Sequence, residues 1–232
     1  MNSITGFILY IDILGYKNLL RNNTQSDNER VKSLLESFTS IYTNLNFALG
    51  FGASFDESKL FKRYFSDNFL FVYESEKGSF LNLLTIQSIA SQIQSQFLYC
   101  GILTRGSITY GTIDYSNDIV YGIDLIKAVE LESHPEPSVV VDENLKDVLI
   151  NNKCEYKKHN SLFFVHGDSE LDLQDVKNGI EKYLVELNKI CPDQKIIDKI
   201  SWIVEQTNDY FSSTKNHYSL AVSSQVKLVR DN

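Results

Sequence analysis

Asp12 follows the apolar run Phe7 to Ile11 directly, and Asp67 stands between the aromatic stretches "RYF" and "NFLFVYE". A carboxylate at the end of a buried strand needs a cation, backbone donors or water around it. Two aspartates with a backbone carbonyl, such as that of Ile13, make a hard oxygen site suited to Mg²⁺ or Mn²⁺, which completes its shell with substrate phosphates. Taken singly, each aspartate also has an ordinary explanation: Asp12 as the N-cap of a helix from Leu14, Asp67 as a turn former. Other residue types offer less. Cys100, Cys154 and Cys191 are an odd number with no CxxC or Cys/His spacing, and read as reduced core thiols. His134, His159, His166 and His217 form no metal-binding or catalytic pattern.

The elements that must position the aspartates are legible from periodicity. Phe7 to Ile11 reads as a central strand, with a short helix over 14–21 and the polar loop "RNNTQSDN" after it. Val31, Leu34, Leu35, Phe38, Ile41, Tyr42 and Leu45 predict one apolar stripe on a helix over 27–49. "KLFKRYF" and "FLFVYE" predict two strands meeting at "SDN", a tight hairpin with Asp67 at its tip. If that hairpin neighbours the first strand, both carboxylates share one end of a sheet. A helix over 80–99 follows, then a strand pair over 101–111 and 112–121, then a helix over 123–132 stopped by "HPEP". "SVVVD" predicts a strand, with a short helix to Ile150 after it and a hairpin over 155–165 closed near "HNS". The remainder, about 173–229, is helical in pattern with a break at Cys191-Pro192, and Ile197, Ile200, Trp202 and Ile203 read as packing positions. Hairpins mixed with crossover helices predict an α+β fold: an antiparallel-rich sheet with helices packed on it.

Four segments, in order, carry a resemblance. "YIDILGYKNLL" resembles the strand-Asp-Ile-x-Gly-aromatic motif of class III nucleotide cyclases, and "RYFSDNFLFVYE" their Gly-Asp hairpin, with Ser66 in place of the Gly. "ILTRGSITYGTI" resembles their Arg-x-Gly-Ile-x-x-Gly strand, and "IVYGIDLIKAVELES" the helix that follows Tyr/Trp-Gly. Within that superfamily, "FSDN", "TRGSITYG" and "AVELE" are most similar to the stand-alone pyrimidine cyclases of bacterial Pycsar antiphage systems. The resemblance implies a ferredoxin-like βαββαβ core over residues 1–170, with C-terminal helices over 171–232 packed on the same domain. It implies conversion of UTP or CTP to the 3′,5′-cyclic monophosphate and pyrophosphate.

Residue roles follow from the same resemblance. Asp12, Asp67 and the Ile13 carbonyl would hold two Mg²⁺ or Mn²⁺ ions per site. The turn after Asp12, Ile13 to Tyr16 with Gly15, would present N–H groups to phosphate oxygens, giving Gly15 and Tyr16 nucleotide-binding roles. Arg105 matches the strand arginine that reaches the triphosphate, though on its own it could be a surface ion pair. Lys157 and Lys158 lie where purine cyclases carry a phosphate-binding lysine, though adjacent hairpin lysines are commonly solvated. Arg63 occupies the base-reading position, flanked by Tyr64 and Phe65. An Arg there can donate to uracil O2 or O4, and a bulky aromatic shortens the pocket against a purine; an edge-strand charge is the plain alternative. Where purine cyclases place an Asn and an Arg four apart on the following helix, this chain has Ile126 and Glu130, leaving Lys127 as the nearby cation.

The totals set the frame. The 232-residue chain has 22 basic and 30 acidic residues, a net charge of −8, and 43% hydrophobic residues. No Lys/Arg run interleaves with aromatics, so a nucleic-acid surface is not expected. No apolar stretch approaches the length of a membrane span and no signal peptide is evident, so the expected location is cytoplasmic. The expected partners are a nucleoside triphosphate, UTP before CTP, and a second copy of the chain in a homodimer with sites at the interface. A downstream effector would respond to the cyclic product and not bind the enzyme. A purine cyclase and a non-catalytic nucleotide-sensing or dimerisation module of the same fold are the alternatives.

Overall fold

The computed structural model describes residues 2–16, 29, 32, 36, 55–99, 102–117, 119–154, 159–160, 198–199, 201–203 and 205–206. Strand β1 (Asn2–Ile13) runs through the middle. Phe7, Ile8, Leu9 and Ile11 are fully buried and Tyr10 nearly so. Both faces of β1 are covered, which is why its sequence is a continuous apolar run and not an alternating one.

Around β1 lie β2 (Leu60–Phe65), β3 (Asn68–Glu74), β4 (Thr104–Tyr115), β5 (Val120–Tyr121), β6 (Val139–Val141) and β7 (His159–Asn160). The sheet order is β2-β3-β1-β4-β6-β7, with β5 paired to the end of β4. Every described pair is antiparallel except β4 with β6. The order β2-β3-β1-β4, antiparallel throughout, is that of a ferredoxin-like core. The expected α+β class with an antiparallel-rich sheet is what the chain adopts.

Helix α1 (Phe80–Tyr99) covers one face of the sheet and α2 (Ile123–Glu132) the other. Leu83, Ile86, Ile89, Ala90, Ile93 and Phe97 of α1 pack with Phe7, Leu9, Ile11, Ile13, Phe69 and Phe71. A short helix α3 (Lys146–Asn151) adds Leu149 to the same layer. Opposite, Ala128 and Leu125 of α2 pack on Ile8, Tyr10, Leu70, Val72 and Ile113. Each such fully buried side chain stabilises the fold by about 1.5–3 kcal/mol. Asp12 follows the alternation onto the α2 face.

Two sequence expectations are corrected. The strand pair over 101–111 and 112–121 is instead one long strand, β4, with only Val120–Tyr121 returning against its end. Gly111 is no turn: a Cβ built on it would fall inside the Asp124 carboxyl group, so glycine is there to let α2 approach. His159 and Asn160, expected at a hairpin closure, are strand residues paired with Val140 and Val139. Their ladder hydrogen bonds to β6 outweigh the turn preference of "HNS". The helices expected over 27–49 and 173–229, and the rest of the 155–165 hairpin, lie outside the described residues apart from isolated positions. Of those, Glu29, Lys32, Glu36 and Ile203 are helical, and Ile203 is buried. Among the described residues, no helix is long and apolar enough to cross a membrane.

Candidate active site

Helix α2 lies antiparallel along β4, and its inward positions recur every four residues. The Thr112 N–H donates to Asp124 Oδ2 at 2.8 Å, and Ser107 Oγ donates to the Ala128 carbonyl at 2.6 Å. One turn further on, Glu132 reaches Nε of Arg105. Residues four apart share one helix face, so a single helix delivers three contacts to successive points of one strand. The last of them falls beside Asp12.

Asp12 lies opposite Asn68 of β3 and Arg105 of β4. The β2–β3 hairpin turns through Ser66 and Asp67, and the Ile13 N–H donates to the Asp67 carbonyl at 3.0 Å. That bond ties the hairpin tip to the end of β1 and brings the two aspartates to one end of the sheet. Ser66 has φ of 59°, positive at the first loop position, where two-residue hairpins favour glycine. Tyr10 Oη donates to Asn68 Oδ1 at 2.8 Å, and Asn68 Nδ2 donates to Asp67 Oδ1 at 3.1 Å. Tyr10 therefore orients Asp67 through Asn68.

Arg105 is held on three sides. Nε is on Glu132, Nη1 donates to the His134 carbonyl at 2.9 Å, and Nη2 lies 3.4 Å from Asp12 Oδ2. Burial raises the pKa of Asp12; Arg105 opposes the rise, and the Asp67 charge adds to it. Glu132 is likewise raised by burial, against Arg105, with Asp12 adding. Tyr10 is pushed up to about 12 by burial, then by Glu132, Asp12 and Asp67. Three carboxylates and one guanidinium thus share a half-buried corner with excess negative charge, an environment that favours a cation. Among the described residues, no three of His, Cys, Asp and Glu stand together as a metal cluster.

A scan of protein-family models finds no match to this chain, and a search of the curated proteins finds none. Solved structures do resemble it. One is the monomeric guanylyl cyclase domain of the RhoGC fusion protein from the aquatic fungus Blastocladiella emersonii, at 11% identity and a TM-score of 0.45 over 65% of this chain and 88% of that one. Another is the guanylyl cyclase Cya2, at 9% identity and a TM-score of 0.43 over 63% of this chain and 79% of that one. A class III adenylyl cyclase-like ATP-binding protein from Pseudomonas aeruginosa matches at 10% identity and a TM-score of 0.48, over 77% of this chain and 40% of that one.

The structure brings together Asp12, Ile13, Asp67 and Arg105. Arg63 and Phe65 share the Asp12 face of the sheet, since Arg63 pairs with Leu70 and Phe65 with Asn68. The Arg63 guanidinium lies over the Phe61 ring, 5.1 Å from its centroid, and donates to the Lys62 carbonyl. Tyr64 pairs with Phe69 and so falls on the opposite face, away from Asp12. Of the amides expected to meet phosphate, Ile13 N–H is on Asp67 and Leu14 N–H donates to Leu103. The fold takes both, so that expectation narrows to Gly15, at φ of 79°, and Tyr16. Lys127 is ion-paired with Asp142, which also accepts from the Asn144 N–H. Lys157 and Lys158 lie outside the described residues. Sequence reasoning missed Tyr10 and Glu132, and considered Asn68 only as an acceptor for a base and not as the group that orients Asp67. For Glu132 a signal existed: a carboxylate in phase with Asp124 and Ala128 on the sheet side of an amphipathic helix.

Proposed function

We propose that the protein is a pyrimidine nucleotide cyclase, converting UTP or CTP to the 3′,5′-cyclic monophosphate and pyrophosphate, a second messenger for antiphage defence. The observation that carries this is the bond from Ile13 N–H to the Asp67 carbonyl, which joins the two motif aspartates at one sheet end beside Arg105. The resemblance of four segments to class III cyclases supplies the chemistry. In it the ribose 3′-oxygen attacks the α-phosphorus, its proton leaves, and the bond from the α-phosphorus to the bridging oxygen of pyrophosphate breaks.

The donor set fits a hard divalent ion. Two carboxylates and the Ile13 carbonyl are oxygen ligands, and Asp12 has its charged form disfavoured by burial and by Asp67. Bound Mg²⁺ or Mn²⁺, two per site, would lower the pKa of the 3′-hydroxyl and neutralise triphosphate charge. Asn68 and Tyr10 hold Asp67 in one orientation. Arg105 offers Nη2 beside Asp12 for a triphosphate oxygen, and the Gly15 and Tyr16 amides face the same substrate group. Arg63, on the Asp12 face, reads the base by donating to uracil O2 or O4.

The enzyme works as a homodimer with its sites at the interface. Ile123, Ile126 and Val129 of α2 are 75%, 54% and 36% exposed, an apolar stripe on the face away from the sheet. Ile126 and Glu130, where purine cyclases place Asn and Arg, both lie on exposed positions of α2. The effector responds to the product. The test is incubation with each of the four NTPs and Mn²⁺, with products separated by chromatography. A cyclic UMP or cyclic CMP peak that disappears in Asp12→Ala and Asp67→Ala, with the fold retained by circular dichroism, is expected. A cyclic AMP or GMP peak overturns the pyrimidine reading. No product at all leaves the sensing module.

A further inference from the structure

Arg105 stands between two carboxylates, and the way it is held decides which of them it neutralises. Glu132, on the last turn of α2, is ion-paired with Nε, and Nη1 donates a hydrogen bond at 2.9 Å to the His134 carbonyl in the segment after it. Only Nη2 faces Asp12, and at 3.4 Å it is an ion-pair contact longer than a good hydrogen bond. The Glu132 side chain is 6% exposed against 16% for Asp12, so Glu132 is the deeper of the two partners. A guanidinium free to rotate closes on a carboxylate through two parallel N–H···O bonds. Here that closure onto Asp12 is prevented from the α2 side.

We infer that Glu132 is a positioning residue that holds Arg105 off Asp12, leaving the Asp12 carboxylate available to a divalent cation. The inference rests on the reading of Asp12 as a metal ligand. An Asp12 fully paired with Arg105 would have to break that pair before taking an ion. Glu132 gives the guanidinium a permanent partner elsewhere, while Nη2 stays close enough to meet a triphosphate oxygen. Its role is exerted through Arg105, not on the ion.

A titration of Mn²⁺ into the full chain, with and without inorganic triphosphate, tests this, the free ion being read by electron paramagnetic resonance. Four proteins are compared: unaltered, Glu132→Gln, Arg105→Gln and the double variant. Gln keeps an oxygen near Nε and nearly the same volume but loses the charge. Glu132→Gln is expected to weaken Mn²⁺ binding about tenfold, the low end of what an adjacent Arg does to a carboxylate's affinity for protons. In the Arg105→Gln background the same change is expected to do nothing, because there is no guanidinium left to hold. Equal losses in both backgrounds would mean that the Glu132 charge acts on the ion directly. Unchanged affinity in Glu132→Gln would mean that Asp12 is never contested. Either result overturns the inference and leaves Asp12 a metal ligand. No Mn²⁺ binding by the unaltered protein in either condition overturns the metal reading and the inference with it. Circular dichroism of each variant, expected to match that of the unaltered protein, guards against a misfolded Gln variant.

Discussion

Tyr10 shows how a phenol two residues from a carboxylate becomes part of its site. Its hydroxyl donates to Asn68, which donates to Asp67, so removing one oxygen loosens a side chain on another strand. Tyr10→Phe is expected to lower stability by about 1 kcal/mol, the usual contribution of one hydrogen bond, read by denaturant unfolding at neutral pH. The pKa of Tyr10, raised from 10.0 to about 12, makes the neutral phenol the form the fold favours. Its contribution is therefore complete below pH 10 and lost as pH rises through about 12, and the Phe variant should show a shallower loss of stability across that window. Asp12 is also raised, by burial first, so its protonated form is the one the fold favours. Its contribution to stability is present below the ordinary carboxylate range and is lost as pH rises through the raised value. At neutral pH the charged Asp12 thus opposes folding. With EDTA present, Asp12→Asn is expected to melt higher than the unaltered protein. Mn²⁺ should raise the melting temperature of the unaltered protein and leave that of Asp12→Asn unchanged.

Elements made of strong periodic signal were legible, and the ends that touch the site were less so. The helices Phe80–Tyr99 and Ile123–Glu132 and the hairpin around Asp67 stand where the apolar spacing and turn residues put them. Strand β4 was misread because Gly111 looks like a turn residue, whereas it is a point of close approach by Asp124. Tyr10 was not read as a site residue because its partner lies on another strand, a matter of register that no local pattern encodes, whereas Glu132 did carry a signal in its phase with Asp124 and Ala128. Two backbone positions test this account. Gly111→Ala would drive a methyl into the Asp124 carboxyl and push α2 off β4; a loss of about 1–3 kcal/mol or more is expected in thermal or urea unfolding. Ser66, at φ of 59°, sits where the related hairpin motif has glycine. Ser66→Gly is expected to add about 0.5–1 kcal/mol by removing left-handed strain, less the added freedom of the unfolded chain. The same unfolding series reads both, and a destabilised Ser66→Gly would mean that the serine side chain holds the turn.

For the whole molecule, α2 is the element with two occupations. Its inner face, Asp124, Ala128 and Glu132, is committed to β4 and to Arg105, and this commitment fixes which residues face out. The outer stripe of Ile123, Ile126 and Val129 continues onto the exposed Tyr121 and Ile119 just before the helix. In the proposed homodimer a second copy would cover that stripe with its own identical one, and the apolar area removed from water would have to outweigh the repulsion between two chains of net charge −8. A rigid α2 seated on β4 would also couple the two events: a partner pressing on its outer face bears on Glu132 and, through Arg105, on Asp12. Ile126→Asp places a charge in the middle of the stripe without touching the inner face. It is expected to sediment as a monomer with an unchanged circular dichroism spectrum. Turnover should fall by at least about tenfold, since a charge buried at an interface without a partner loses 2 kcal/mol or more of association. Residual activity of the variant should rise steeply with protein concentration, as mass action requires of a site shared between chains. A variant that stays dimeric, or an unaltered protein that sediments as an active monomer, would place the site within a single chain.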